Sequence, residues 1–149
     1  MSNTVVIDAN IALKWVLNEQ DSDIATALLA EWTKKSITII APSLLLYEVT
    51  NILYRHVRTG KITPDTARAG IHTLLRAVVP LFTHIPVISL RAIALANHFG
   101  LPATYDTYYL ALAEHEECEF WTADTRLWRA VKDEFPWVRN LNDYRPGKP

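Results

Sequence analysis

The segment Val5-Val6-Ile7-Asp8 constrains the fold more than any other stretch of the sequence. Three β-branched apolar residues run directly into an aspartate, with no polar residue between them. Such continuous apolar runs are typical of strands that are buried on both faces of a parallel sheet, with helices on either side. Ligands of open α/β sheets bind just beyond the carboxyl ends of the strands. Asp8 is therefore predicted to lie at the edge where a functional site forms.

The composition indicates a globular chain. Half of the 149 residues are hydrophobic and 21% are charged, which suits a single domain over residues 1–149 with a polar tail at about 142–149. The single cysteine, Cys118, excludes an internal disulfide and a cysteine-based zinc site. No apolar stretch reaches the roughly 20 residues of a membrane helix, and no basic residue precedes the first apolar run as in a signal peptide. We expect a cytoplasmic protein with no membrane partner.

Predicted strands and helices alternate along the chain. Strands are predicted at 4–8, 36–41, 119–122 and 137–141, and helices at 9–17, 21–35, 43–59, 63–79, 89–99, 104–116 and 124–134. Residues 83–88 are either an extended segment or a short strand, Pro80 is expected to stop a helix, and Ser89 to cap one. The pattern predicts an α/β fold with a central, mostly parallel, short-stranded sheet and helices on both faces. The consecutive helices 43–59 and 63–79 are expected to form a hairpin that stands off the sheet.

Four carboxylates occupy unusual positions in this pattern. Asp8 ends one predicted strand and Asp124 follows another, and both must lie at one edge because parallel strands share their carboxyl edge. Glu48 lies on the apolar stripe of its predicted helix, and Asp106 shares a helix face with Tyr109. An acid on a buried apolar face is unfavourable unless it is paired or bound to metal.

Each of these acids also has a simpler interpretation. Asp8 and Asp124 suit the N-cap position of the helices that follow them, Asp106 suits a first helical turn, and Glu48 could pair with Arg55 or another basic residue. Together, however, grouped carboxylates raise each other's pKa values, and a divalent cation removes that repulsion. Ligation by oxygen alone suits Mg²⁺ or Mn²⁺, and no histidine or cysteine near these acids has the spacing of a zinc site. Such magnesium sites commonly serve phosphate chemistry.

Four segments around these acids resemble the PIN-domain ribonucleases, and within them the VapC-type toxins of toxin–antitoxin modules. The segments occur in that family's order and at its spacing over essentially the whole chain. They are Val6-Ile7-Asp8-Ala9-Asn10, Pro42-Ser43-Leu44-Leu45-Leu46-Tyr47-Glu48-Val49, Ala103-Thr104-Tyr105-Asp106-Thr107-Tyr108-Tyr109-Leu110-Ala111-Leu112-Ala113-Glu114 and Trp121-Thr122-Ala123-Asp124-Thr125-Arg126-Leu127.

The resemblance implies a PIN-like three-layer α/β/α sandwich and a metal-dependent endoribonuclease that inhibits translation. Water would attack the phosphodiester and leave a 5′-phosphate and a 3′-hydroxyl. The resemblance also implies a homodimer and a cognate antitoxin whose tail covers the site. By the same resemblance, the acids that bind Mg²⁺ or Mn²⁺ and act in catalysis are Asp8, Glu48, Asp106 and Asp124, supported by Asn10 and Thr122.

Other functions fit parts of the sequence. The net charge of −1 lacks the bulk positive charge of many nucleic-acid-binding proteins, although basic residues recur at 55–61 and 126–132. A phosphatase of the haloacid dehalogenase type also opens with a strand-end aspartate, but it typically carries a second aspartate where Asn10 stands. A PIN nuclease of RNA processing outside a toxin–antitoxin module, and a non-catalytic PIN-like scaffold, are the remaining alternatives.

Overall fold

The computed structural model describes residues 2–78, 81–82 and 85–147, and in these ranges strands and helices alternate. The elements are β1 (Thr4–Ile7), α1 (Ala9–Val16), α2 (Ser22–Lys34), β2 (Thr38–Pro42), α3 (Leu44–Arg58), α4 (Pro64–Ala77), β3 (Leu81–Phe82), α5 (Pro86–Phe99), α6 (Tyr105–His115), β4 (Glu119–Thr122), α7 (Thr125–Val131), β5 (Val138–Asn140) and a 3₁₀ turn at Leu141–Asp143.

The described strands form one sheet in the order β3-β2-β1-β4-β5, and every neighbouring pair is parallel. β1 lies at its centre, where Val5 is in register with Ile39 of β2 and with Glu119 of β4. Its apolar residues are buried, as the opening run of the sequence predicts. The parallel α/β sheet is therefore confirmed.

Helices cover both faces of the sheet. Successive residues of a strand point to opposite faces, and β4 shows what each face contacts. Phe120 stacks on Tyr109 of α6, with ring centroids 6.2 Å apart. Trp121 meets Trp32 of α2 edge to face, with centroids 5.7 Å apart. This arrangement is the predicted three-layer α/β/α sandwich.

The α3–α4 hairpin packs more closely on the rest of the molecule than the sequence suggests. The two helices contact each other, but α3 also contacts β2 and α1, and α4 contacts α1. A Cβ atom added at Gly70 of α4 would lie 3.3 Å from the Cβ of Val16, so the absence of a side chain allows this close approach. The expected helical hairpin is therefore present, and both of its helices pack on α1.

The prediction that Ser89 caps a helix is also wrong. α5 begins at Pro86, with Ile85 in the N-cap position, because proline has the φ angle of a first helical turn and needs no N–H partner there. Ser89 lies inside the helix, and its hydroxyl is 2.8 Å from the Tyr108 hydroxyl. The expected end of α4 at Val79, the stop at Pro80, and Thr83 and His84 of the segment expected to be extended or a short strand lie outside the described residues. Residues 86–88 of that segment belong to α5 instead.

One end of a predicted element shifts for a local reason. Ser36 has a φ of 54°, the left-handed conformation that often follows a helix, so β2 begins at Thr38 instead of residue 36.

The C-terminal segment is polar, but Tyr144 in it is buried and donates its hydroxyl to Glu31 of α2. No helix in the ranges 2–78, 81–82 and 85–147 is long and apolar enough to cross a bilayer.

Candidate functional site

The four acids singled out by the sequence lie at the ends of elements that meet at the carboxyl edge of the sheet. Asp8 directly follows β1, and Asp124 lies two residues beyond β4. These strands are neighbours, with Ile7 in register with Trp121. Glu48 lies in α3, which follows β2, and Asp106 lies in the first turn of α6, which packs on β1, β2 and β4.

Asp8 is a buried carboxylate that has neutral partners. It is 2% exposed, its Oδ1 accepts the N–H of Ile11 at 3.1 Å, and its Oδ2 accepts the hydroxyl of Thr122. The pKa of Asp8 is raised to about 7, mainly by burial and to a smaller extent by the charges of Asp106 and Asp124, against the opposing effect of these hydrogen bonds. The predicted N-cap role is thus present, but it uses only one of the two oxygens.

Thr122 links the two strand-end acids. It is 0% exposed, and its hydroxyl donates to Asp8 while it accepts the backbone N–H of Asp124 at 3.0 Å. The Oδ1 atom of Asp124 accepts the N–H groups of Arg126 and Leu127, which makes Asp124 the N-cap of α7. Its Oδ2 atom has no hydrogen bond within the part of the chain that the structure describes.

A hydrogen bond from a tyrosine hydroxyl holds the side chain of Glu48. The hydroxyl of Tyr109 in α6 donates to Glu48 Oε1 at 2.5 Å. Burial raises the pKa of Glu48, the hydrogen bond from Tyr109 opposes that rise, and the charge of Asp106 adds to it. Burial and the neighbouring carboxylates also raise the pKa of Tyr109. No ion pair between Glu48 and Arg55 occurs among the described residues, so this simpler interpretation of Glu48 fails.

Asp106 has the fewest partners of the four acids. Its side chain makes no hydrogen bond or ion pair within the described ranges, although it is only partly exposed. Burial raises its pKa, and the charge of Asp124 adds to the effect. Asp106 in turn raises the pKa values of Asp8 and Glu48. The four carboxylates therefore form one electrostatic cluster, in which Asp106 interacts with each of the others.

The two predicted supporting residues differ in outcome. Thr122 makes the contacts described above, whereas Asn10 lies on the exposed side of α1 and its side chain makes no hydrogen bond in the described part of the chain. Thr122 thus contacts Asp8 directly, whereas the supporting role of Asn10 stays a prediction. Sequence reasoning missed Tyr109 as a functional side chain. Its position three residues after Asp106 places it on the same helix face, but an aromatic residue in an apolar stripe indicates core packing as readily as a function.

The donor chemistry of the cluster fits a hard divalent cation. All four side chains offer carboxylate oxygens, which Mg²⁺ and Mn²⁺ prefer, and no lysine or arginine forms an ion pair with them among the described residues. The geometry is not that of a closed ligand cage, because no group of three or more histidine, cysteine, aspartate or glutamate side chains in those residues is arranged to hold a metal ion.

Comparison with protein families decides which fold family this architecture represents. The model of the PIN domain matches residues 5–133, a range that runs from β1 through α7 and contains all four acids. The chain is a member of the PIN domain family. PIN domains are generally nucleases that use divalent metal ions, so this PIN domain has the fold of a hydrolase of that type. A search of curated proteins finds no match to the chain.

Proposed function

We propose that this PIN domain is a metal-dependent endoribonuclease that hydrolyses RNA phosphodiester bonds at the carboxylate cluster. The carrying observation is that Asp8, Glu48, Asp106 and Asp124 form one electrostatic cluster at the carboxyl edge of the sheet, without a paired cation among the described residues. Capping accounts for one oxygen of Asp8 and of Asp124, but it does not account for the placement of Glu48 or Asp106.

The four acids would hold Mg²⁺ or Mn²⁺ and act in catalysis. When bound, such a cation supplies Lewis-acid chemistry at the phosphate and lowers the pKa of water. Thr122 orients Asp8, and it positions Asp124 through the backbone N–H of that residue. Glu48 orients the attacking water with its carboxylate. The products, by the family resemblance, carry a 5′-phosphate and a 3′-hydroxyl.

The surface beside the cluster suits a single-stranded nucleic acid. Tyr47 and Tyr105, the residues directly before Glu48 and Asp106, are 69% and 61% exposed, and exposed aromatic rings stack with bases. Arg126 is exposed in the first turn of α7, two residues after Asp124. The positive guanidinium group of Arg126 at this position attracts the phosphate backbone of a nucleic acid, even though the net charge of the chain is −1.

For the biological role we propose the toxin of a VapC-type toxin–antitoxin pair, acting in the cytoplasm as a homodimer that a cognate antitoxin neutralises. Resemblance of the four sequence segments supports this role. Large apolar side chains are exposed on the outer face of α5, at Val87, Leu90 and Ile93, and such residues suit burial against a protein partner. Growth arrest on expression of the chain, relieved by a small protein encoded next to it, would support this role, whereas harmless expression would contradict it.

Cleavage of RNA by the purified chain tests the proposed activity. Labelled single-stranded RNA should be cut internally with Mg²⁺ or Mn²⁺ and remain intact with EDTA, and Asp8→Asn and Asp106→Asn should each abolish the cutting. Asp8→Asn keeps the N-cap, because asparagine caps helices as well as aspartate does. Full cleavage by both variants would overturn the assignment of the site, and RNA binding without any cleavage would favour a non-catalytic scaffold.

A further inference from the structure

We infer that Tyr109 is a positioning residue that fixes Glu48 for cation binding, an inference that rests on the proposed function. The bond from the Tyr109 hydroxyl to Glu48 Oε1 joins α6 to α3, two elements whose bonded residues are 61 positions apart in the chain. Through this bond, a side chain that belongs to the core fixes the position of one carboxylate of the cluster.

The ring of Tyr109 is held rigidly. Tyr109 is 1% exposed, and its ring stacks on Phe120 of β4 with an angle of 6° between the planes. A fully buried aromatic ring in a close-packed core has little freedom to change its rotamer. The hydroxyl therefore occupies a position that is set by the packing of α6 on the sheet.

Glu48, in contrast, has little else to hold it. Its side chain is only half-buried, and Tyr109 is its single hydrogen-bond donor within the described part of the chain. Without that bond the flexible glutamate side chain could take several rotamers. The conformational entropy lost when a bound cation fixes one of them would weaken cation binding.

A neutral donor suits this task better than a basic one. A lysine or arginine paired with Glu48 would order the carboxylate but would also neutralise it and repel a divalent cation. A phenol orders the same oxygen and leaves the negative charge of the cluster intact. The Oε2 atom has no hydrogen bond among the described residues, so it remains available to a cation or to water.

The neighbouring residue offers a matched control. Tyr108 is also in α6, but its hydroxyl lies 2.8 Å from Ser89 Oγ of α5 and makes no hydrogen bond with the four acids among the described residues. Replacing either tyrosine by phenylalanine removes one hydroxyl and keeps the ring. A loss that follows any missing hydroxyl in α6 would appear in both variants, whereas a loss of positioning at Glu48 would appear in only one.

Calorimetric titration with Mn²⁺ tests the inference without relying on activity. Tyr109→Phe should bind Mn²⁺ about tenfold or more weakly than the unaltered chain, the usual effect of losing a side chain that orients a metal ligand. Tyr108→Phe should bind with unchanged affinity. In a Glu48→Gln background, Tyr109→Phe should cause no further loss, because the charged ligand that it positions is already gone.

The outcomes separate this inference from the proposed function. If the unaltered chain binds Mn²⁺ and Tyr109→Phe binds equally well, the inference is overturned while the proposed function stands. Equal losses in Tyr108→Phe and Tyr109→Phe, or a further loss in the Glu48→Gln background, would likewise overturn it. Absence of Mn²⁺ binding by the unaltered chain would overturn the metal site, and the inference with it.

Discussion

The carboxylates at the carboxyl edge of the sheet and those on the outer helix faces have different partners. On the outer faces, Glu31 accepts from Lys35 at 2.7 Å, and Glu114 pairs with Arg91 at 2.7 Å. The bond from Lys35 lowers the pKa of Glu31. At the edge, burial raises the pKa of Asp8 to about 7, and its hydrogen-bond partners are a hydroxyl and a backbone N–H.

This difference separates two uses of the same functional group. A surface acid paired with a basic side chain is already compensated and needs no further ligand. Among the edge acids, burial and neighbouring carboxylates raise the pKa values of Asp8, Glu48 and Asp106. Asp8 and Glu48 are also oriented by neutral donors that add no positive charge. Such an arrangement is unfavourable by itself, so it indicates a site that is completed by an external cation.

The largest expected difference between the two groups is in catalysis. Asp106→Asn should reduce Mg²⁺-dependent RNA cleavage by about 10³-fold or more, because loss of a ligand removes several kcal/mol of transition-state stabilisation. Glu114→Gln, which alters an acid of the same helix α6, should cleave at the unaltered rate. Single-turnover cleavage measured for both variants makes the comparison, and equal rates in the two would refute it.

The next effect is on stability without metal. Because the folded-state pKa of Asp8 is raised, to about 7 from an ordinary value of 3.8, its burial opposes folding once the carboxyl group ionises. The free energy of unfolding of the metal-free chain should therefore fall as the pH rises from about 4 to 7, by at most roughly 4 kcal/mol at about 1.4 kcal/mol per pH unit. Asp8→Asn should lose most of this slope. Urea unfolding in EDTA at several pH values would show it, and an unchanged slope in Asp8→Asn would contradict it.

Addition of a divalent cation should reverse part of that loss. At neutral pH, Mg²⁺ or Mn²⁺ at 100 times its dissociation constant should stabilise the folded chain by about 2.7 kcal/mol, since the cation binds the folded state alone. Thermal unfolding with and without the cation measures the shift. Asp106→Asn should show a much smaller shift, and Glu114→Gln should respond as the unaltered chain does. A full shift in Asp106→Asn would place the binding site elsewhere.

The smallest effect is expected for the paired acids. The Arg91–Glu114 pair is partly exposed on both sides, and exposed ion pairs contribute only about 0.2–1 kcal/mol. A double-mutant cycle with Arg91→Ala and Glu114→Gln should give a coupling energy in that range, which falls with added salt. A coupling energy well above that range would show that this pair is also a strongly coupled element of the structure.

Parallel topology explains why much of the candidate site was predictable from the sequence. An apolar run that ends in an acid implies a buried strand with its carboxylate at the carboxyl edge, and Asp8 and Asp124 follow from that rule alone. Glu48 and Asp106 followed from polarity on helix faces that are otherwise apolar. These inferences depend on helical periodicity and on the alternation of strands and helices, which predicts parallel strands, and both patterns can be read along the sequence.

The missed features depend on contacts between distant segments. The bond from Tyr109 to Glu48 requires the packing of α6 against α3, and nothing in either segment alone indicates it. The two-residue strand β3 is too short to give a periodic pattern. For the start of α5, both Pro86 and Ser89 are reasonable signals, and the contact of Ser89 with Tyr108 of α6 is a tertiary one.

Anomalous scattering from crystals soaked in Mn²⁺ tests most directly whether the edge acids form a cation site. An anomalous difference map should show a peak at the carboxyl edge of the sheet, with carboxylate oxygens of at least three of Asp8, Glu48, Asp106 and Asp124 as direct or water-mediated ligands. The peak should disappear in Asp106→Asn and persist in Glu114→Gln. A map with no peak at this edge, or with Mn²⁺ bound only at the paired surface acids, would contradict the assignment of the four carboxylates to one metal site.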